Sequence, residues 1–181
     1  FLNILGITMS CQLANLGGSI VVSKYATSQL SLDELLVVIS SKPGFANILC
    51  KLIDNKRGQN TIVFTNGCFD MLHTGHIHLL KEAKKYGDQL IIGLNSDDSV
   101  KRLKGSGRPL QSSEIRKLAL LSTGIVDEVI IFEENTPLAL IEALKPDFLV
   151  KGGDYQKSEI VGANFVESYG GKIQIVATLD G

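Results

Sequence analysis

Two histidines three residues apart, His73 and His76, stand in the stretch TNGCFDMLHTGH (65–76), with Asn66, Gly67, Cys68, Phe69 and Asp70 just ahead of them. Side chains at i and i+3 leave a helix from nearly the same side. Two imidazoles so placed can donate hydrogen bonds to phosphate oxygens, and donors fixed in advance stabilise the negative charge that builds there during reaction. Gly67 has no Cβ, so a ligand can approach the main chain. Asp70 can accept from amides in the turn, or orient a histidine and select its tautomer. Two other readings fit the same residues. One is an ordinary turn with surface histidines and an Asx cap. The other is a zinc site, which needs a third or fourth ligand; the one remaining histidine, His78, falls on another side of the helix. Cys68 reads as a small packed residue rather than a nucleophile, because no base adjoins it.

These residues need a strand before them and a helix after them, and the pattern supplies both. TIVFTN (61–66) reads as a strand and GHIHLLKEAKKYG (75–87) as a helix closed by Gly87. QLIIGLN (89–95) is a second strand, SDDSVKRLKG (96–105) a helix capped by Ser96, GSGRPLQ (105–111) a loop, and SSEIRKLALLSTG (112–124) a helix with a serine start and a glycine stop. DEVIIF (127–132) is a third strand, and TPLALIEALK (136–145) a helix with Thr136 as cap and Pro137 at its first position. DFLVKGG (147–153) is a fourth strand, SEIVGANFVESYGG (158–171) a weaker helix and KIQIVATL (172–179) a fifth strand. Short apolar strands alternating with amphipathic helices predict an α/β fold: a five-stranded parallel sheet with helices on both faces. Ligands of such sheets sit beyond the carboxyl ends of the strands, where His73 and His76 lie. Upstream, residues 11–22, 30–40 and 45–57 read as helices, with a break at SKPG (41–44).

Composition narrows the function. The chain has 181 residues, a net charge of −1 and scattered Lys and Arg. A nucleic-acid or membrane-surface partner needs clustered positive charge, so neither is expected. No apolar run approaches the roughly 20 residues that span a bilayer. The three cysteines are widely spaced and odd in number, which suits a reducing, cytoplasmic setting rather than a disulfide framework. Neither G-x-x-x-x-G-K-[ST] nor a G-x-G-x-x-G after the first strand is present, so any nucleotide cradle is of another kind. The first residues, FLNILGITMSCQL, carry no basic leader and no starting Met; they read as the cut end of a longer protein.

GCFDMLHTGH resembles the signature G-x-F-D-x-x-H-x-G-H of the cytidylyltransferase-like nucleotidyltransferases, with Gly67, Phe69, Asp70, His73, Gly75 and His76 in place. Through NSDDSVKRLKG, RP, EIRKLAL, ENTP and LVKGGDY, residues 61–181 resemble the adenylyltransferase half of the bifunctional heptose-7-phosphate kinase/heptose-1-phosphate adenylyltransferases. ANLGGSIVVSKYATSQLSLDEL resembles the last segment of a ribokinase-like sugar kinase, carried by Ala14, Asn15, Val21, Val22, Lys24 and Thr27, with Gly17, Gly18 and Ala26 departing from the usual residues. The resemblance thus implies a kinase remnant over 1–42, a linker helix over 43–60 and a Rossmann-like nucleotidyltransferase domain over 61–181.

It also implies adenylyl transfer from ATP to a sugar 1-phosphate, D-glycero-β-D-manno-heptose 1-phosphate, giving ADP-heptose and pyrophosphate for lipopolysaccharide core synthesis. Mg²⁺ would ride mainly on the phosphates, with no protein metal site, and a homodimer is expected. The implied catalytic residues are His73, His76 and Lys104. Asn66, Gly67, Cys68, Phe69, Asp70, Gly75, Gly152, Gly153 and Asp154 would line the nucleotide. Lys101 and Arg116 would contact phosphate; Arg116 sits in a first helical turn, where the helix dipole gives a cation nothing. Lys104 otherwise reads as a solvated lysine at a helix end, and Gly152 to Asp154 as a plain strand-ending turn. His78, Lys84 and Lys85 read as surface. The kinase's Gly-Ala-Gly-Asp loop is not in the chain, so no sugar-kinase activity is expected. The Ser-Thr-rich turn that follows Asp180–Gly181 in the family is also missing. A CTP-dependent transferase acting on a polyol or amino-alcohol phosphate, and a nucleotide-binding module without turnover, are the rival readings.

Overall fold

In the computed structural model, residues 60–153 and 155–177 are described. The helices expected upstream of residue 58, the kinase remnant over 1–42, nearly all of the linker over 43–60, and Asp154 lie outside them.

Five strands form one sheet: β1 (Ile62–Gly67), β2 (Gln89–Asn95), β3 (Glu128–Phe132), β4 (Phe148–Gly152) and β5 (Lys172–Val176). Their order is β3-β2-β1-β4-β5, and every neighbouring pair is parallel. Consecutive residues of β1 and β2 are apolar because both faces are covered. Helices α1 (Thr74–Lys84) and α3 (Ser113–Ser122) bring Leu80, Ala83 and Leu120 into one core layer with Val63, Leu90, Ile92 and Leu94. Helices α4 (Leu138–Leu144) and α5 (Ala163–Ser168) bring Leu140, Ile141, Leu144, Ala163 and Val166 into the other with Ile62, Phe64, Ile91 and Leu149. Gly93 in β2 makes room for the buried Phe64 ring: a Cβ there would lie 2.7 Å from Phe64 Cζ. The expected parallel sheet with helices on both faces is therefore present. Among the described residues no helix is long and apolar enough to cross a membrane.

Three expected elements differ in detail. Helix α1 ends at Lys84 rather than running to Gly87. Helix α4 begins after Pro137, which occupies the cap position without a side-chain bond, so Thr136 does not cap it. The helix expected over 158–171 is split into a 3₁₀ turn, Lys157–Glu159, and α5, with Gly162 between them at φ 86°. That left-handed backbone favours glycine, and a Cβ there would also push on the Ile141 side chain, 2.8 Å from its Cδ1.

The sheet opens between β1 and β4. From β1 the chain passes to β2 through α1 on one face; β4 is reached through α4 on the other. Such a reversal leaves a crevice at the strands' carboxyl ends. The backbone pairing shows it: β1 and β2 pair over six residues, whereas β1 and β4 pair only at Val63–Phe148 and Phe64–Leu149.

Candidate active site

The start of α1 is bare. His73 is its N-cap, with extended backbone (φ −139°, ψ 174°), no side-chain cap bond and no acidic residue in the first turn. The first helical bond runs from Ile77 N to His73 O at 3.1 Å. The amides of Thr74, Gly75 and His76 are thus the helix's unsatisfied donors, carrying the partial positive charge of its end. Helix α2 (Asp97–Lys104) begins quite differently: Ser96 Oγ accepts from Ser99 N, and Asp97 and Asp98 fill its first turn. Only the first of these two helix starts is left open to an external anion.

Both imidazoles belong to that helix start, His73 as its cap and His76 in its first turn. The His73 and His76 rings stack with centroids 3.8 Å apart and planes 29° from parallel. Gly75 permits this, because a Cβ there would lie 3.1 Å from His73 Cε1 and Nδ1. On its other side His76 meets Phe69 at 5.0 Å. Phe69 is buried at φ 44°, a left-handed conformation that costs a bulky residue on the order of 1–3 kcal/mol. Gly67 gives its ring space: a Cβ would sit 3.2 Å from Phe69 Cε2. His76 Nδ1 is buried with no hydrogen bond of ordinary geometry among the described residues. Burial is the main cause lowering the His76 pKa; His73 lowers it further, the Met71 main chain opposes this, and Lys104 adds to it. The ring is therefore neutral at neutral pH and gains affinity for a proton when an anion arrives. Lys104, exposed at the end of α2, makes no hydrogen bond or ion pair among the described residues and feels His76 electrostatically.

Asp70 faces the loop rather than the histidines. Its buried carboxylate accepts from Arg108 at 2.6 Å, from Leu110 N at 2.6 Å and from Gln111 N at 3.4 Å. It therefore pins residues 108–111 against the histidine turn. Burial pushes its pKa up, but the Arg108 and amide hydrogen bonds outweigh this and hold it below the ordinary carboxylate value. A depressed carboxyl stabilises the folded loop above the unfolded pKa and stops doing so as pH falls through the folded one. Hydrogen exchange at the Leu110 amide should accordingly lose protection as pH drops below the usual aspartate range. Constant protection down to pH about 2, well under the model-peptide value of about 3.9, contradicts this anchor.

Arg116 corrects an expectation. It is 1% exposed, and its guanidinium donates to Gln111 O (2.9 Å), Cys68 O (2.6 Å), Asn95 O (2.9 Å) and Asp97 Oδ1 (2.7 Å). It is an internal brace joining the ends of β1 and β2 to α2 and the loop, and is not free to meet phosphate. Lys101 also turns elsewhere, pairing with Asp98 at 3.1 Å. Cys68 behaves as a packed residue: its thiol lies 3.9 Å from Asn95 Oδ1 and its carbonyl is held by Arg116. Gly152 ends β4, and Gly153, at φ 114°, donates to Val176 O. His78 is half-buried and lines a groove with Leu72, His73, Thr74, Ile77 and Lys81, so it is not a fully solvated residue. Among the described residues no three His, Cys, Asp or Glu side chains converge as metal ligands.

Two site residues escaped the sequence reading. Asn95, buried at the end of β2, bonds Ser99 Oγ at 3.0 Å and connects to Cys68 and Arg116. Lys151 reaches across from β4 to Asn66 Oδ1 at 2.5 Å. The signal for Lys151 is a lysine near the carboxyl end of an otherwise apolar interior strand.

A parallel sheet with helices on both faces, a bare helix start after β1 and a crevice where the sheet reverses define an α/β domain of the Rossmann-like type. A family profile described as cytidylyltransferase-like matches residues 64–177, and the chain belongs to that family. It is 43% identical over 185 residues to the bifunctional protein HldE of Syntrophotalea carbinolica, a match covering 98% of this chain and 38% of that protein. With the bifunctional protein HldE of Koribacter versatilis it shares 46% identity over 182 residues, 96% of this chain and 37% of the relative. The chain thus spans less than two fifths of the length of these curated relatives. Among solved structures, the lipopolysaccharide core biosynthesis protein of Thermoplasma volcanium is similar at 27% identity and a TM-score of 0.54, covering 67% of this chain and 98% of that one.

Proposed function

We propose that this chain transfers AMP from ATP to a sugar 1-phosphate, releasing pyrophosphate. The observation that carries the proposal is the uncapped, acid-free start of α1, whose cap and first turn carry the stacked His73 and His76 rings. An oxygen of the sugar phosphate attacks the α-phosphorus of ATP in line, and pyrophosphate leaves without a covalent enzyme intermediate. Little covalent chemistry falls to the protein, so its contribution is positioning and charge stabilisation. The free amides of Thr74 to His76 and the two imidazoles hold the polyphosphate, and Lys104 adds positive charge from the far side. Gly67 and the main chain of Cys68 and Phe69 pass beneath the nucleotide, with Gly152 and Gly153 at the pocket rim, and the family resemblance assigns Asp154 to the nucleotide as well.

Mg²⁺ enters with ATP as substrate. Both oxygens of Asp70 are already engaged by the loop, so a magnesium ion would be held mainly by the substrate's phosphates and water and would help neutralise their charge. The resemblance of residues 61–181 to heptose-1-phosphate adenylyltransferases, and the similarity to a lipopolysaccharide core biosynthesis protein, favour a heptose 1-phosphate as acceptor, ADP-heptose as product, a cytoplasmic location and a homodimer. The same resemblance supports reading 1–42 as a kinase remnant and 43–60 as a linker.

Pyrophosphate release, measured with ATP and with CTP across phosphorylated sugars and polyols, tests the proposal. Release with ATP and heptose 1-phosphate at least tenfold above every other pair is expected. Preference for CTP, or tight ATP binding with no transfer to any acceptor, contradicts it.

A further inference from the structure

The split between β1 and β4 is bridged by one side chain. The register that pairs Val63 with Phe148 and Phe64 with Leu149 brings Asn66 opposite Lys151, yet backbone pairing has already stopped. In its place the Lys151 ammonium donates to Asn66 Oδ1 at 2.5 Å and lies 3.4 Å from Asn66 O. An amide is a weak partner for a buried ammonium, which is normally matched by a carboxylate. Lys151 has no such carboxylate among the described residues. Gly152 and Gly153 follow it, and Gly67 follows Asn66, so main chain without Cβ atoms borders the carboxyl side of this bridge, with Leu79 packed against Gly152 and Phe69 against Gly67.

We propose that Lys151 is a substrate-contacting residue of the β1/β4 crevice: its ammonium holds a phosphate oxygen of a bound substrate and rests on Asn66 when the site is empty. Desolvation draws its pKa down to about 8, the sign of a charge whose surroundings lack compensation. A phosphate supplies that compensation, and three donors on one amine allow Asn66 to be kept while an anion is gained. Both substrates of the proposed reaction carry phosphate, and the inference rests on that reaction; which of them reaches Lys151 is decided by experiment.

Two measurements test it. In the first, KM for ATP and KM for the sugar 1-phosphate are determined separately for Lys151→Met and Lys151→Arg. Lys151→Met should raise one of the two KM values at least tenfold, with the melting temperature shifted by only a few degrees, and Lys151→Arg should recover most of the loss. In the second, the unaltered chain is treated with an amine-acylating reagent and the extent of reaction at Lys151 is read by mass spectrometry. ATP alone or heptose 1-phosphate alone should protect Lys151, whichever raised its KM in the variant, while chloride at equal ionic strength should not. Unchanged KM values, or equal acylation with and without each phosphate ligand, overturn the inference. A chain that turns over normally while Lys151 stays unprotected defeats this inference and leaves the reaction standing. A chain that transfers nothing defeats the reaction, and protection by a phosphate ligand then still decides the contact.

Discussion

Replacing His76 with alanine should lower the rate of pyrophosphate release at least about 100-fold, the usual scale for losing one charge-stabilising donor. The expectation rests on where the ring sits. It packs against both His73 and Phe69 in the first turn of the helix, and its buried Nδ1 has no hydrogen bond of ordinary geometry among the described residues. A ring that is neutral before the ligand arrives and donates as phosphate charge grows favours the transition state over the ground state. Its loss should therefore appear in kcat more than in KM. Circular dichroism should stay that of the unaltered chain, because the core layers do not include His76. A variant turning over within threefold of the unaltered chain contradicts the assigned role.

Arg116→Met should cost about 3–5 kcal/mol of stability, the range for breaking a buried, hydrogen-bonded ion pair from one side. The substitution keeps much of the aliphatic volume but strips donors from three carbonyls and from Asp97. It also frees the Cys68 carbonyl, so any folded remainder should bind nucleotide poorly. Urea denaturation followed by circular dichroism measures the effect. Arg116→Lys should rescue little, since one ammonium cannot reproduce a planar fork aimed at four acceptors. A loss under about 1 kcal/mol, the value of a surface pair, contradicts the brace.

The two variants mark where the sequence was and was not legible. Periodicity located all five strands, because each is a short apolar run bounded by turn residues, and spacing alone brought His73 and His76 together. Gly75 and Gly67 also make sense locally, each clearing room for a ring two residues away. Arg116 was misread for a different reason. Its exposure depends on acceptors at positions 68, 95, 97 and 111, which the fold brings together and local pattern does not reveal. Lys151 and Asn66 meet only because β4 is laid beside β1, a pairing invisible in a window of ten or fifteen residues. The single helix read over 158–171 failed at Gly162, whose left-handed backbone breaks the helix, a conformation that the residue type permits but does not announce.

The central claim is that the start of α1 and its two imidazoles grip the polyphosphate. The most direct measurement is a crystal structure of the chain with a non-hydrolysable ATP analogue and Mg²⁺. It should show phosphate oxygens within hydrogen-bond distance of the Thr74–His76 amides and of both His73 and His76. An analogue seated elsewhere, with the two rings facing water, contradicts the account.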